Sequence, residues 1–239
     1  MLTGRPADIT TGGACAFQLP RDPSAASRAR SLIAATMRDL GFATDTIDDA
    51  KLAVSELATN AHTHASSATR PELWVWARTH PARELVVSVF DAHRDTWPVS
   101  GNADLLDEHG KGLSIVAALA TRTGSHFTRS RLNTTSGKCV WFTLPLPACW
   151  PTTAHAIAPK PASDNLLDAL RSRGIPATGC SDDRGISVLT VAALNIWVAP
   201  TGFSWRCSRG YVRQPLIDLQ ETAERIVSRN ETRQFHHQP

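Results

Sequence analysis

The sequence predicts an α/β sandwich followed by a smaller α+β unit, and three observations carry that reading. Two helical runs open the chain, and two strand-like runs, LWVWAR and ELVVSVF, follow them. A proline-rich stretch, PLPACWPTTAHAIAPKPAS, then separates this part from a second set of short strands. With 239 residues the chain suits one large domain or two modest ones.

The opening residues are Gly- and Thr-rich and are expected to fray. Asp22-Pro23 supplies a cap and a first-turn proline for the first helix. Ala26, Ala29, Ile33, Met37 and Leu40 recur at helical spacing, and Gly41 ends the run. A second helix opens near Asp45-Thr46 with Ile47, Ala50, Val54, Leu57 and Ala61 on one face. The two strands follow, joined by THPA. Residues 92–109 read as polar and irregular, broken by Pro98 and Gly101; a helix resumes at LSIVAALA, and KCVWFTLPL is a closing strand. These elements form a mixed sheet with helices on one face, assigned to residues 1–147, with a linker at 148–163.

The second unit, 164–239, starts with a helix, DNLLDALRSR, capped by Ser163 and ended by Gly174. ISVLTV, LNIWVA and FSWRC read as three strands, and QPLIDLQETAERIVSR as a closing helix. A unit this small is near the lower limit for independent folding, which favours docking on the first. The tryptophans, including Trp74, Trp76, Trp141, Trp197 and Trp205, read as core or rim packing. Trp205, Arg206, Tyr211 and Arg213 are candidates for an exposed partner-binding surface.

A hydrophobic content of 42%, a charged content of 20% and a net charge of +3 are those of an ordinary globular chain. The small charge and the absence of a basic run argue against direct nucleic-acid binding. No signal peptide or membrane-spanning stretch is evident, so a cytoplasmic location is expected. Cys15, Cys139, Cys149, Cys180 and Cys207 form no CxxC pair and fit reduced thiols better than a disulfide framework or a zinc site.

The chemistry concentrates in ELATNAHTHA, residues 56–65. Glu56 and Asn60 project from one helix face, one turn apart. Such a pair is either solvated surface or a site in which the Asn60 amide oxygen meets Mg²⁺ and Glu56 orients or deprotonates a nucleophile. His62 and His64 diverge by about 200° on a helix and do not make a metal pair. In SVFDAH, Asp91 ends a buried strand, where a carboxylate needs a partner. In HGKGLSIV, two glycines directly precede a helix and can aim backbone N–H groups at a phosphate.

Taken in order, ELATNAHTHA, VFDAH, GKGL and SGKCVWFTLPL resemble the ATP-binding domain of the GHKL superfamily, specifically its anti-sigma-factor serine protein kinase branch. The likeness spans roughly residues 17–147. It implies a Bergerat-type ATP-binding fold, an α/β two-layer sandwich, for the first unit, to which the small α+β domain read from the later residues is appended. It also implies Asn60 as the Mg²⁺ ligand, Glu56 as catalytic base and Asp91 as acceptor for the adenine amino group. Gly110, Lys111, Gly112 and Leu113 match the glycine box at the phosphates, and 92–109 the ATP lid. Two departures stand out: His93 where the family has glycine, and Cys139 where it often has threonine near adenine. ATP and Mg²⁺ are the implied cofactors. The implied partner is an anti-sigma-antagonist-like protein, a sigma factor or both, and a homodimer is among the assemblies allowed. The expected function is a serine/threonine protein kinase, with a non-catalytic ATP-dependent switch as the alternative.

Overall fold

The computed structural model describes residues 4–63, 69–94, 111–151, 157–182, 185–208 and 210–236. From residue 4 on, the expected fraying gives way to regular structure: α1 (Pro6–Ile9) buries Ile9, and β1 (Ala14–Gln18) runs along the edge of the first sheet. Then α2 (Ser24–Asp39) starts where the Asp22 carboxylate accepts the Ser24 N–H at 2.8 Å. Gly41, at φ +77°, reverses the chain, so the Gly41 and Phe42 amides reach back to the carbonyls of Arg38 and Met37. α3 (Thr44–Thr63) packs along α2, and its Ala50, Ala53, Val54 and Ala58 are buried in the core the two helices share.

β2 (Glu72–Arg78) and β3 (Glu84–Asp91) coincide with the expected strands. α4 (Lys111–Leu119) follows, then β4 (Arg122–Arg129), which sequence reading missed because its polar TRTGSHFTR lacks an apolar face, and β5 (Ser136–Pro145). The sheet order is β1-β2-β3-β5-β4, and every pairing is antiparallel, so the expected mixed sheet is corrected. One face meets α2, α3 and α4 through Leu73, Val75, Leu85, Val87, Val89, Phe142 and Leu144.

The proline-rich stretch is structured at both ends. Trp150 is buried edge-on against Phe42, and its carbonyl accepts from the Arg83 guanidinium at 3.1 Å. α5 (Pro159–Ser172) begins inside that stretch, using Pro159 in its first turn. Ser163, expected as its cap, instead lies within the helix and is buried. A second antiparallel sheet has five strands rather than three: β6 (Ala177–Ser181), β7 (Ser187–Val191), β8 (Leu194–Ala199), β9 (Gly202–Cys207) and β10 (Gly210–Gln214). A 3-10 turn at Leu216–Asp218 leads into α6 (Leu219–His236).

α6 is buried on two sides of opposite chemistry. Leu219, Ala223, Ile226 and Val227 join α5 and the second sheet in one core. Glu221, Glu224 and Glu231 face the other way, onto the first sheet. The expected helices on one face of that sheet are therefore joined by a helix on the other, over Trp74, Trp76, Val86, Phe90 and Cys139. There Glu224 meets Arg173 at 2.7 Å and Arg131 at 3.3 Å. Arg131 also stacks on Trp74 and Trp76. Burial alone would raise the Glu224 pKa, but Arg173, His126 and Arg131 outweigh it and hold the carboxyl well below its ordinary value. Asp218 anchors the β2–β3 turn, accepting the Thr79 and His80 amides at 2.7 and 2.9 Å. We expect Glu224→Ala to lower the unfolding free energy by about 3–5 kcal/mol, because two guanidiniums would stay buried without their carboxylate. Denaturant unfolding measures this, and a loss below about 1 kcal/mol would refute it.

Candidate functional site

The candidate site lies on the helix side of the first sheet. Glu56 and Asn60 are both half-buried on α3, one turn apart, while Val54, Leu57 and Ala61 of the same helix enter the core. Gly112, the second residue of α4, lies directly against Glu56: a Cβ there would stand 2.6 Å from Glu56 Oε2. The absent side chain lets the first turn of α4 approach the carboxylate this closely. Leu113 is half-buried and packs on the core, fixing the start of α4. Lys111 is the first residue of α4, while Gly110 and most of the expected lid, residues 95–110, fall outside the described residues, as does His64.

Asp91 ends β3, is buried, and has the partner its burial requires. Its Oδ2 is 3.0 Å from Lys138 Nζ, and its Oδ1 accepts the His93 N–H at 2.9 Å. Lys138 also donates to the His93 carbonyl. In register, Asp91 lies opposite Lys138, and Phe90 opposite Cys139. Cys139 therefore points to the α6 side, in contact with His126, and not toward Asp91. The concern over a thiol near adenine is corrected: the neighbour of Asp91 on β5 is Lys138. Strand alternation carried that signal, since Phe142 and Leu144 face the helices and Lys138 shares their parity.

These groups fit a nucleotide. A carboxylate has about four acceptor positions, so Asp91 retains capacity for an amino group after accepting from Lys138 and His93. Gly137 on β5 lets the strand close onto Asp91, because a Cβ there would collide with the Asp91 carbonyl. At the other end, the amide N–H groups of an α-helix's first turn have no partner within the helix and favour anions. The half-buried Asn60 amide and Glu56 carboxylate are hard oxygen donors, suited to Mg²⁺.

The chain just after Asp91 is tied to α6, a link no local motif marks. Arg94 donates to Glu231 Oε2 at 3.1 Å, and its guanidinium lies over Phe127 and Phe235 at 4.8 and 5.4 Å. Glu231 also receives Arg129 at 2.5 Å. In the second unit, Tyr211 and Trp197 are exposed, as are Arg206 and Arg213, but Trp205 is buried in the core and leaves the proposed partner surface. Among the described residues, no helix is long and apolar enough to cross a membrane.

A family model described as "Histidine kinase-like ATPase domain" matches residues 19–144. A crystal structure of the RsbU and RsbW domains of Rv1364c from Mycobacterium tuberculosis is 18% identical, with a TM-score of 0.40, over 58% of this chain and 34% of that one. The histidine kinase domain from the Erythrobacter litoralis EL346 blue-light activated histidine kinase is 23% identical, with a TM-score of 0.28, over 52% of this chain and 60% of that one. The chain thus spans about a third of the first structure's length and three fifths of the second's. No curated protein matches the sequence.

Proposed function

The chain belongs to the histidine kinase-like ATPase family, and from that premise we propose that it binds Mg-ATP and phosphorylates a serine or threonine of a protein partner. The approach of the Glu56 carboxylate to Gly112 supports this reading most directly, since it sets a base beside the turn where phosphates would lie. In this proposal Asp91 accepts the adenine amino group, Asn60 holds Mg²⁺, and Gly110, Lys111, Gly112 and Leu113 form the phosphate turn. Bound Mg²⁺ would neutralise phosphate charge. Glu56 aligns the partner's hydroxyl and takes its proton as the new O–P bond forms and ADP leaves. The partner is an anti-sigma-antagonist-like protein, a sigma factor, or both, met in the cytoplasm, and the motif resemblance supports that assignment.

Two variants test the site. Asn60→Ala should cost at least about tenfold in ATP affinity with Mg²⁺, some 1.4 kcal/mol, and little without it. Equal affinities in Mg²⁺-containing calorimetry would sink the assignment. Gly112→Ala should leave stability within about 1 kcal/mol, because the Glu56 carboxylate is the end of a flexible side chain and can move aside. Transfer should nevertheless fall by about tenfold or more as the base is displaced. An unaltered turnover in this variant would separate Glu56 from the chemistry.

A second reading has one specific observation in its favour. Arg94, three residues beyond Asp91, is held by Glu231 and Phe235 of α6. Nucleotide occupancy would then reach a partner through α6 without phosphoryl transfer, as a binding switch.

A further inference from the structure

We propose that His126, Cys139 and Glu224 bind a zinc-class divalent cation at the seam between the first sheet and α6, with a fourth coordination position open to the adjoining cleft. The three residues come from β4, β5 and α6, so no spacing motif announces them. Their donor atoms all lie within 4.8 Å of one another. His126 Nε2 is 3.3 Å from Cys139 Sγ and 3.0 Å from Glu224 Oε1. The two Nε2 separations fall a few tenths of an ångström short of the roughly 3.4–3.6 Å that zinc bond lengths and a tetrahedral angle require, and Sγ also lies 3.6 Å from Nδ1, so the imidazole would turn to aim Nε2 at the ion. One thiolate, one imidazole and one carboxylate suit zinc or cobalt rather than Mg²⁺ or Ca²⁺.

The surroundings hold the donors in place. Arg173 Nη1 and Arg131 bond Glu224 Oε2 at 2.7 and 3.3 Å, while Oε1 faces His126 and also accepts from Arg173 Nη2 at 3.5 Å. Thr128 Oγ1 donates to this same Oε1, so an ion would take the lone pair that now faces His126. The two guanidiniums oppose a cation, but the Cys139 thiolate and the Glu224 carboxylate together match a divalent charge. Cys139 is fully buried among Trp74, Trp76 and Phe90, so water does not compete for its sulfur. On the other side, His126 and Glu224 line a cavity of about 570 Å³ walled by Trp76, Trp141, Arg122 and Arg225. That cavity supplies the fourth ligand as water or a small anion. The ion would staple α6 to the sheet, stabilising the folded chain by its binding free energy.

The test is a Co²⁺ titration of the chelator-treated full chain without nucleotide, which keeps it independent of the ATP site. We expect one equivalent to bind with a near-ultraviolet thiolate-to-cobalt charge-transfer band, and Zn²⁺ to displace it and raise the melting temperature. The band should persist when Cys149, Cys180 and Cys207 are all changed to serine. It should vanish in Cys139→Ser and in His126→Gln, with affinity lower by about 100-fold or more. Lack of binding by the wild-type chain overturns the proposal whatever the variants do. So does a band that survives Cys139→Ser or disappears in the triple-serine variant.

Discussion

Glu56→Gln is expected to lower phosphoryl transfer by about 10²–10⁴-fold while leaving Mg-ATP affinity almost unchanged. The amide keeps the shape and polarity of the carboxylate but cannot accept the hydroxyl proton. Glu56 is half-buried beside Gly112 and lies outside the charged seam under α6, so the substitution should leave stability intact. The loss should therefore appear in turnover and not in nucleotide binding, as expected for an interaction needed only in the transition state. The experiment pairs calorimetric ATP binding with radiolabel transfer to a co-purified partner. If partner regulation survives this change in full, the kinase reading fails and the switch through Arg94 and α6 stands. If ATP binding is lost instead, Glu56 belongs to nucleotide binding rather than to proton transfer.

The elements with regular apolar periods were legible in the sequence. α2, α3, β2, β3 and β5 appear where their patterns placed them, because burial on the sheet imposes those patterns. β4 was not legible, since its outer-strand position and its contacts with α6 are made through Thr128, Arg129 and His126 rather than through apolar side chains. The start of α5 was misplaced because prolines signal a linker and a helix first turn equally well. Within the candidate site, helical spacing placed Glu56 beside Asn60 and only the family resemblance put Gly112 in the same site; the close approach of Gly112 to Glu56 comes from the packing of α4 on α3. The Asp91–Lys138 pair needed the strand register. The contacts of Arg94 with Glu231 and of Arg131 with Glu224 join residues 137 and 93 positions apart, and no local rule reaches that far.

Cutting the chain after Lys160 is expected to abolish its solubility, because α6 and α5 leave together. The charged seam would open first: Arg131 would lose Glu224 and Gln220, and Arg78 and Trp76 would lose Glu221. Those guanidiniums would regain water, so their separation is not the main cost. The apolar face beneath them is. Trp74 and Trp76 are fully buried, with Val86 and Phe90 beside them on the same side of the sheet. Burial of one tryptophan contributes on the order of 4–6 kcal/mol as an upper bound, so two account for much of the roughly 5–15 kcal/mol that stabilises a whole domain. Even a fragment that kept its helix-side core would expose a contiguous aromatic patch on one face of the sheet, which favours self-association. We therefore expect the fragment to elute as large assemblies in size-exclusion chromatography and to bind a hydrophobic dye. A monodisperse fragment that unfolds cooperatively and binds ATP as the full chain does would show that α6 is dispensable to the fold. The second unit would then be a detachable module, and its exposed Trp197, Tyr211, Arg206 and Arg213 would be the surface to probe for partners.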